Sequence, residues 1–288
     1  LSVHENADGL LENLPGWSFM DWVYGAQPFT VGVAPDGDVG QGVSALNNLL
    51  YLLALQSAAS VDEALGEGHL AEHWRTKAAR LGRTLLARFW DEGRGALADT
   101  VRKDRFSEHA QCLAILSGIL APERRDRAFA ALAKGEGLAP ASSYFAYYVF
   151  EAFARCGRAD LVMRRLDFWR NFVAHGARTA FETQDPAGTR SDCHAWSASP
   201  AYFVHTAFAG VRPSSPFFRT VRVAPQPAGL KEIRAKTPCP QGLVETDLRF
   251  AAGGVRGTVV LPDGLSGEFV WNGRTQKISS GENRIEMK

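Results

Sequence analysis

No apolar run in this chain reaches the roughly 18 residues that a membrane span requires. The longest, around Leu49 to Leu55, is short and contains Tyr51. Charge of one sign is lacking too: 32 Lys and Arg against 31 Asp and Glu leave a formal net charge of +1. Such a balance creates no bulk field toward a polyanion, so neither nucleic acid nor membrane is expected as a partner. The four cysteines, Cys112, Cys156, Cys193 and Cys239, stand far apart and form no C-x-x-C pair. They read as free, mostly buried thiols, three of them in predicted helices, rather than a disulfide framework. No charged-then-apolar leader follows Leu1, and the compartment stays open between cytoplasm and periplasm. The glycine-rich stretch from Pro35 to Gly42 lacks the lysine of a phosphate loop and reads as a flexible entry loop. No G-x-S-x-G elbow accompanies any serine, which removes the usual Ser-His-Asp hydrolase frame. No cofactor is expected.

What is present is helix, in two kinds. Val43 to Leu55 is apolar almost all round, the pattern of a helix buried on most sides. The next helical stretch, His69 to Trp90, carries one stripe of Leu70, Trp74, Ala78, Leu81, Leu85 and Phe89 amid charge. The alternation continues: 107–120 apolar, 123–133 charged, 142–153 aromatic, 158–173 arginine-rich and 191–208 apolar. Helices apolar all round need an outer layer, and short connections make neighbours antiparallel. An inner ring wrapped by an outer ring, an α/α toroid, meets both conditions, while a helical solenoid lacks the fixed repeat it would need here. Four inner and three outer helices make about half of a six-hairpin ring. An open edge of apolar surface is therefore expected near Val43 to Leu55.

From Gly210 the period changes to two. Phe218 to Val223, Val244 to Phe250 and Val255 to Val260 alternate, with Asn272-Gly273 among the turns between strands. The expected fold class is mainly α: an incomplete α/α toroid over 1–212, then a small antiparallel β-sandwich over 213–288.

The densest chemistry lies in TAFETQDPAGTRSDCHAWSASPAY, residues 179–202. Pro186 and Gly188 break a helix, so Glu182 sits on a connection between two helices, where scaffolds place reactive groups. A carboxylate, an imidazole (His194) and an indole (Trp196) can move a proton, hold a hydroxyl and pack against a sugar ring. A surface acid followed by a helix cap at Ser191 or Asp192 is the alternative. The segment WSFMDW, residues 17–22, brings two more indoles and Asp21 into an irregular stretch that either plugs a core or lines a pocket. His69, Glu72 and His73 match H-x-x-E-H, but no third ligand is evident, and no metal is assigned.

WSFMDW, SEHAQCLAIL (107–116), SSYFAYYVFEAF (142–153) and above all TAFE…SDCHAWSASPAYF (179–203) resemble the later half of bacterial α-L-rhamnosidases of glycoside hydrolase family 78. GVRPSSPFFRTVRVAPQPAGL from Gly210 and GLSGEFVWNG resemble the start and end of that family's C-terminal β-domain. The resemblance implies a six-hairpin toroid and hydrolysis of terminal α-L-rhamnosyl residues with inversion, on a rhamnose-containing glycoside or oligosaccharide. It implies Glu182 as general base, with Asp21, Trp22, His194, Trp196 and Tyr144 binding the sugar. The family's general acid lies in an acidic motif upstream of the WSFMDW segment, and residues 1–16 contain nothing like it. The sequence is accordingly expected to be a C-terminal fragment, inactive alone, whose missing partner is the N-terminal part of its own chain. Two other functions compete: a non-catalytic carbohydrate-binding module, and an α/α-toroid glycosidase or phosphorylase acting on another sugar.

Overall fold

The computed structural model describes residues 2–15, 19–21, 42–183, 189, 191–251 and 253–288. Trp22 and most of the glycine-rich 35–42 stretch lie outside them. The chain divides into two compact units, Leu1–Ala152 and Phe153–Lys288.

The first unit is built on helices α1 (Ala45–Ala64), α2 (Gly68–Phe89), α3 (Glu108–Ser117) and α4 (Pro122–Lys134). A short hairpin, β1 (Trp90–Asp91) with β2 (Ala96–Leu97), joins α2 to α3. Helix α5 (Ala146–Arg155) runs across the division between the units. Local chemistry sets the helix starts. Ser44 and Ser107 cap α1 and α3 with their hydroxyls, and Pro122 opens α4 where its missing N–H costs nothing. Helix α1 packs on α2 and α3, and α3 packs on α4. Leu46, Leu49, Leu52 and Leu55 of α1 are all buried, as is nearly every residue of α3. Helices α2 and α4 bury only one stripe each, so the inner and outer roles read from the pattern are the ones seen.

Two buried amides fasten the irregular segments to these helices. Asn48 accepts from Leu11 N–H at 2.7 Å and donates to Leu11 O at 3.1 Å. Gln111 does the same for Leu97, at 2.8 and 2.7 Å. Each amide satisfies a backbone donor and acceptor that burial would otherwise leave unpaired.

The second unit begins with the end of α5, then α6 (Ala159–Arg165) and α7 (Asp167–Ala174). A 3₁₀ turn (Ala195–Ala198), α8 (Ser199–Phe203) and a π turn (Val204–Phe208) complete the helical part. Eight strands follow: β3 (Val211–Pro213), β4 (Thr220–Val223), β5 (Glu232–Cys239), β6 (Gly242–Ala251), β7 (Gly254–Leu261), β8 (Ser266–Trp271), β9 (Arg274–Ile278) and β10 (Gly281–Met287). They form two four-stranded sheets, β10-β7-β6-β5 and β3-β4-β8-β9. Val221, Val223, Phe269, Val244, Leu248 and Val259 are buried at alternate positions, the signature of one face packed and one solvated. Gln226 ties the segment after β4 to the helices: it accepts from Ala159 N–H of α6 at 3.1 Å and donates to Ala154 O of α5 at 2.8 Å.

Several expectations need correction. The 158–173 helix is two helices, because Leu166 N–H bonds Met163 O in a tight i→i+3 turn between α6 and α7. The 191–208 helix starts only at Ala195: His194 is extended, and the Ser191 carbonyl and His194 N–H pair back to Glu182 and Ala180. Leu70 is 44% exposed and Ala71 replaces it on the buried stripe of α2. No large apolar residue between Val43 and Leu55 is exposed; the open ones on α1 and just beyond it are Val61 and Leu65. One strand pair, β4 with β8, is parallel, while the other pairs in the two sheets are antiparallel. Of the cysteines, Cys112 alone is buried and Cys193 is exposed.

Candidate active site

The loop after α7 holds Glu182 through its backbone. Glu182 N–H donates to Ser191 O at 3.0 Å, and His194 N–H donates to Ala180 O at 2.8 Å. The two sides of the loop thus pair like a short ladder, and Thr179 Oγ1 adds a bond to Asp192 O. Phe181 packs on Phe172 of α7 with ring centroids 5.0 Å apart, which anchors the entering side. Trp196, on the 3₁₀ turn, donates its indole N–H to Glu182 O at 3.0 Å. Its ring lies against the His194 imidazole, centroids 4.2 Å apart at 53°. Trp169 of α7 fixes that turn by donating to Ser197 O at 2.6 Å.

Three predicted site residues of the second unit therefore come together. Glu182 is 7% exposed, buried yet not sealed, while His194 and Trp196 are half-buried. The Trp196 N–H is committed to the Glu182 carbonyl, so what this indole offers a ligand is its ring. The Trp196 indole and the Glu182 backbone are thus linked by a hydrogen bond.

A separate polar cluster lies in the first unit. Asp21 is 0% exposed. Its Oδ2 accepts from His109 Nε2 at 2.6 Å and from Ser142 N–H at 2.8 Å, and Ser142 Oγ donates to its Oδ1. Ser142 Oγ in turn accepts from Tyr144 N–H at 3.1 Å. Tyr144 is half-buried beside Phe19, centroids 5.9 Å apart, and burial pushes its phenol above the usual value, with Tyr148 and Asp21 adding to the shift. His109 stacks on Phe145 at 4.3 Å. Asp21 and Tyr144 are thus brought together, whereas Trp22 lies outside the described residues.

Two further acids are buried next to this cluster. Glu108 accepts from Ala141 N–H at 2.9 Å, and Asp99 accepts from the Ser107 hydroxyl at 2.7 Å. Burial raises the Asp99 carboxyl to about 6, against the lowering effect of Ser107, His109 and Arg105. The sequence pattern does not single out His109, Ser142, Glu108 or Asp99. The signal available was the run Ser107-Glu108-His109, three polar residues opening a helix that is otherwise apolar all round. His69 and His73 are exposed on α2, and His73 packs edge-on against Trp74 at 4.7 Å.

Residues 2–208 match the model of the bacterial α-L-rhamnosidase six-hairpin glycosidase domain, and residues 210–286 match that of the bacterial α-L-rhamnosidase C-terminal domain. No curated protein sequence matches significantly. Among solved structures, a GH78 family rhamnosidase of Bacillus sp. GL1 superposes with a TM-score of 0.80 at 26% identity over 93% of this chain. An α-L-rhamnosidase from Aspergillus terreus gives a TM-score of 0.80 at 17% identity over 98% of the chain. A rhamnosidase from Klebsiella oxytoca, with rhamnose bound, gives 0.58 at 24% identity over 70%. The chain spans 29%, 34% and 39% of the lengths of these three structures, about a third. Its helices followed by two β-sheets are the six-hairpin glycosidase fold with its β-domain. The chain belongs to the bacterial α-L-rhamnosidase family.

Proposed function

We propose that the protein carrying this chain hydrolyses terminal α-L-rhamnosides with inversion at the anomeric carbon, Glu182 serving as the general base. The observation that carries this reading is the Glu182 loop in a chain of this family. A buried carboxylate sits on a helix connection, its carbonyl bonded to Trp196, with His194 against the same indole. Inversion needs one carboxylate to take a proton from water as that water attacks, and an acid on the opposite face to protonate the leaving oxygen. The assignment supplies the base and not the acid, and places the catalytic part in 1–212 with the β-domain in 213–288. His194 binds a sugar hydroxyl, and the Trp196 ring packs against the C–H face of the pyranose. Trp22 and Tyr144 are proposed as further sugar-binding residues, with Asp21 behind Tyr144. The family, and a neighbour determined with rhamnose bound, support this substrate class.

The test is the anomer released first from an aryl α-L-rhamnoside, followed by proton NMR before mutarotation. β-L-rhamnose supports the reading, and α-L-rhamnose removes inversion. Rhamnose binding without release returns a non-catalytic carbohydrate-binding module. Turnover that requires phosphate returns a phosphorylase.

A further inference from the structure

Asp21 sits where no solvent reaches it, and its carboxylate already accepts from His109 Nε2, Ser142 N–H and Ser142 Oγ. A carboxylate so occupied is a poor ligand for a sugar hydroxyl, which would have to displace one of these buried donors at a cost burial makes high. The network has a direction. His109, in the first turn of α3, bonds Asp21 through Nε2 and lies against Phe145 with ring centroids 4.3 Å apart at 48°, so its ring is fixed from two sides. Ser142 Oγ is donor to Asp21 and acceptor from Tyr144 N–H, and a hydroxyl has one proton to give. Because Asp21 takes that proton, the oxygen lone pairs point at the Tyr144 amide. Orientation therefore passes from His109 through Asp21 and Ser142 to the backbone of Tyr144.

We infer that Asp21 and Ser142 are positioning residues, which act on the sugar only by fixing Tyr144. The inference rests on the rhamnoside reading for its consequence in catalysis, but not for the positioning itself. Tyr144 is one of six tyrosines and can be observed directly. Removing the hydroxyl in Ser142→Ala frees the Tyr144 amide from its partner and loosens the turn that leads into α5.

Two measurements in the protein carrying this chain test it. In the first, fluorotyrosine is incorporated and the Tyr144 resonance is assigned by its loss in Tyr144→Phe. It should shift or broaden in Ser142→Ala and in Asp21→Asn, and return in Ser142→Thr, which restores a hydroxyl. An unchanged Tyr144 resonance in Ser142→Ala overturns the inference. In the second, Ser142→Ala should raise KM for an aryl α-L-rhamnoside about tenfold, the size of one lost hydrogen bond, with kcat within about twofold. In a Tyr144→Ala background the same substitution should change kcat/KM by less than about twofold, because the group it acts through is gone. An equal loss in both backgrounds shows that Ser142 does not act through Tyr144. If the parent turns over no rhamnoside, the hydrolase reading fails, and the resonance alone decides the positioning.

Discussion

Replacing Asp99 by Asn should change how stability depends on pH. Asp99 is 1% exposed between the start of α1 and the cap of α3: its carbonyl accepts from Ala45 N–H and its carboxylate from the Ser107 hydroxyl. Burial lifts its pKa from the ordinary 3.8 to about 6. A group whose folded pKa lies above its unfolded one binds its proton more tightly in the folded state. Its contribution to stability is fully present below about pH 4 and is lost as the pH rises through about 6. The shift of about 2.2 units, at about 1.36 kcal/mol per unit, makes that loss about 3 kcal/mol. The amide in Asp99→Asn cannot titrate, and its oxygen can still accept from Ser107. Urea unfolding of parent and Asp99→Asn should therefore give a stability difference that moves by about 3 kcal/mol in favour of the variant between about pH 3.5 and pH 7. Comparing the two proteins cancels the other titrating groups. Curves that stay parallel within about 0.5 kcal/mol across that range would refute the buried-acid reasoning.

The two helix layers predict unequal costs of truncation. Leu49→Ala on α1 should lose about 3 kcal/mol by urea unfolding, whereas Leu70→Ala, at a site 44% exposed, should stay within about 0.5 kcal/mol. Equal losses would undo the layering. At Gly257, with φ +147°, an added Cβ would meet Asp247 O at 1.9 Å across β6 and β7. Gly257→Ala should therefore cost more than about 2 kcal/mol, and a thermal melt unchanged from the parent would contradict that register. Thiol labelling of the native protein should modify exposed Cys193 first. Cys112, whose thiol burial pushes well above its usual value, should react only on unfolding. Mass spectrometry of the labelled peptides reads the order directly.

Helix kind was legible because burial leaves a pattern. The all-round apolar run of α1 and the charged surface of α2 differ in sequence as they differ in the fold. Helix limits were less legible where backbone pairing overrides propensity. Residues 191–194 look helical, yet the backbone of Glu182 and His194 spends its N–H groups across the loop. The Asn272-Gly273 turn was readable because both residues must take positive φ, 48° and 75°, between β8 and β9. The parallel pairing of β4 with β8 was not, since alternation gives a strand its faces but not its neighbours. Glu182, His194 and Trp196 stood within fifteen residues and could be read as a group. The partnership of Asp21 with His109 crosses 88 positions, and each residue alone looks ordinary.

Glu182 as the base of a rhamnoside hydrolase stands or falls with Glu182→Gln. The amide keeps the shape of the side chain and leaves the backbone bonds to Ser191 and Trp196 intact. Steady-state kinetics on an aryl α-L-rhamnoside should show kcat reduced by about 10²- to 10⁴-fold, the usual size of general-base catalysis, with KM nearly unchanged. A kcat within about twofold of the parent would remove Glu182 from the mechanism.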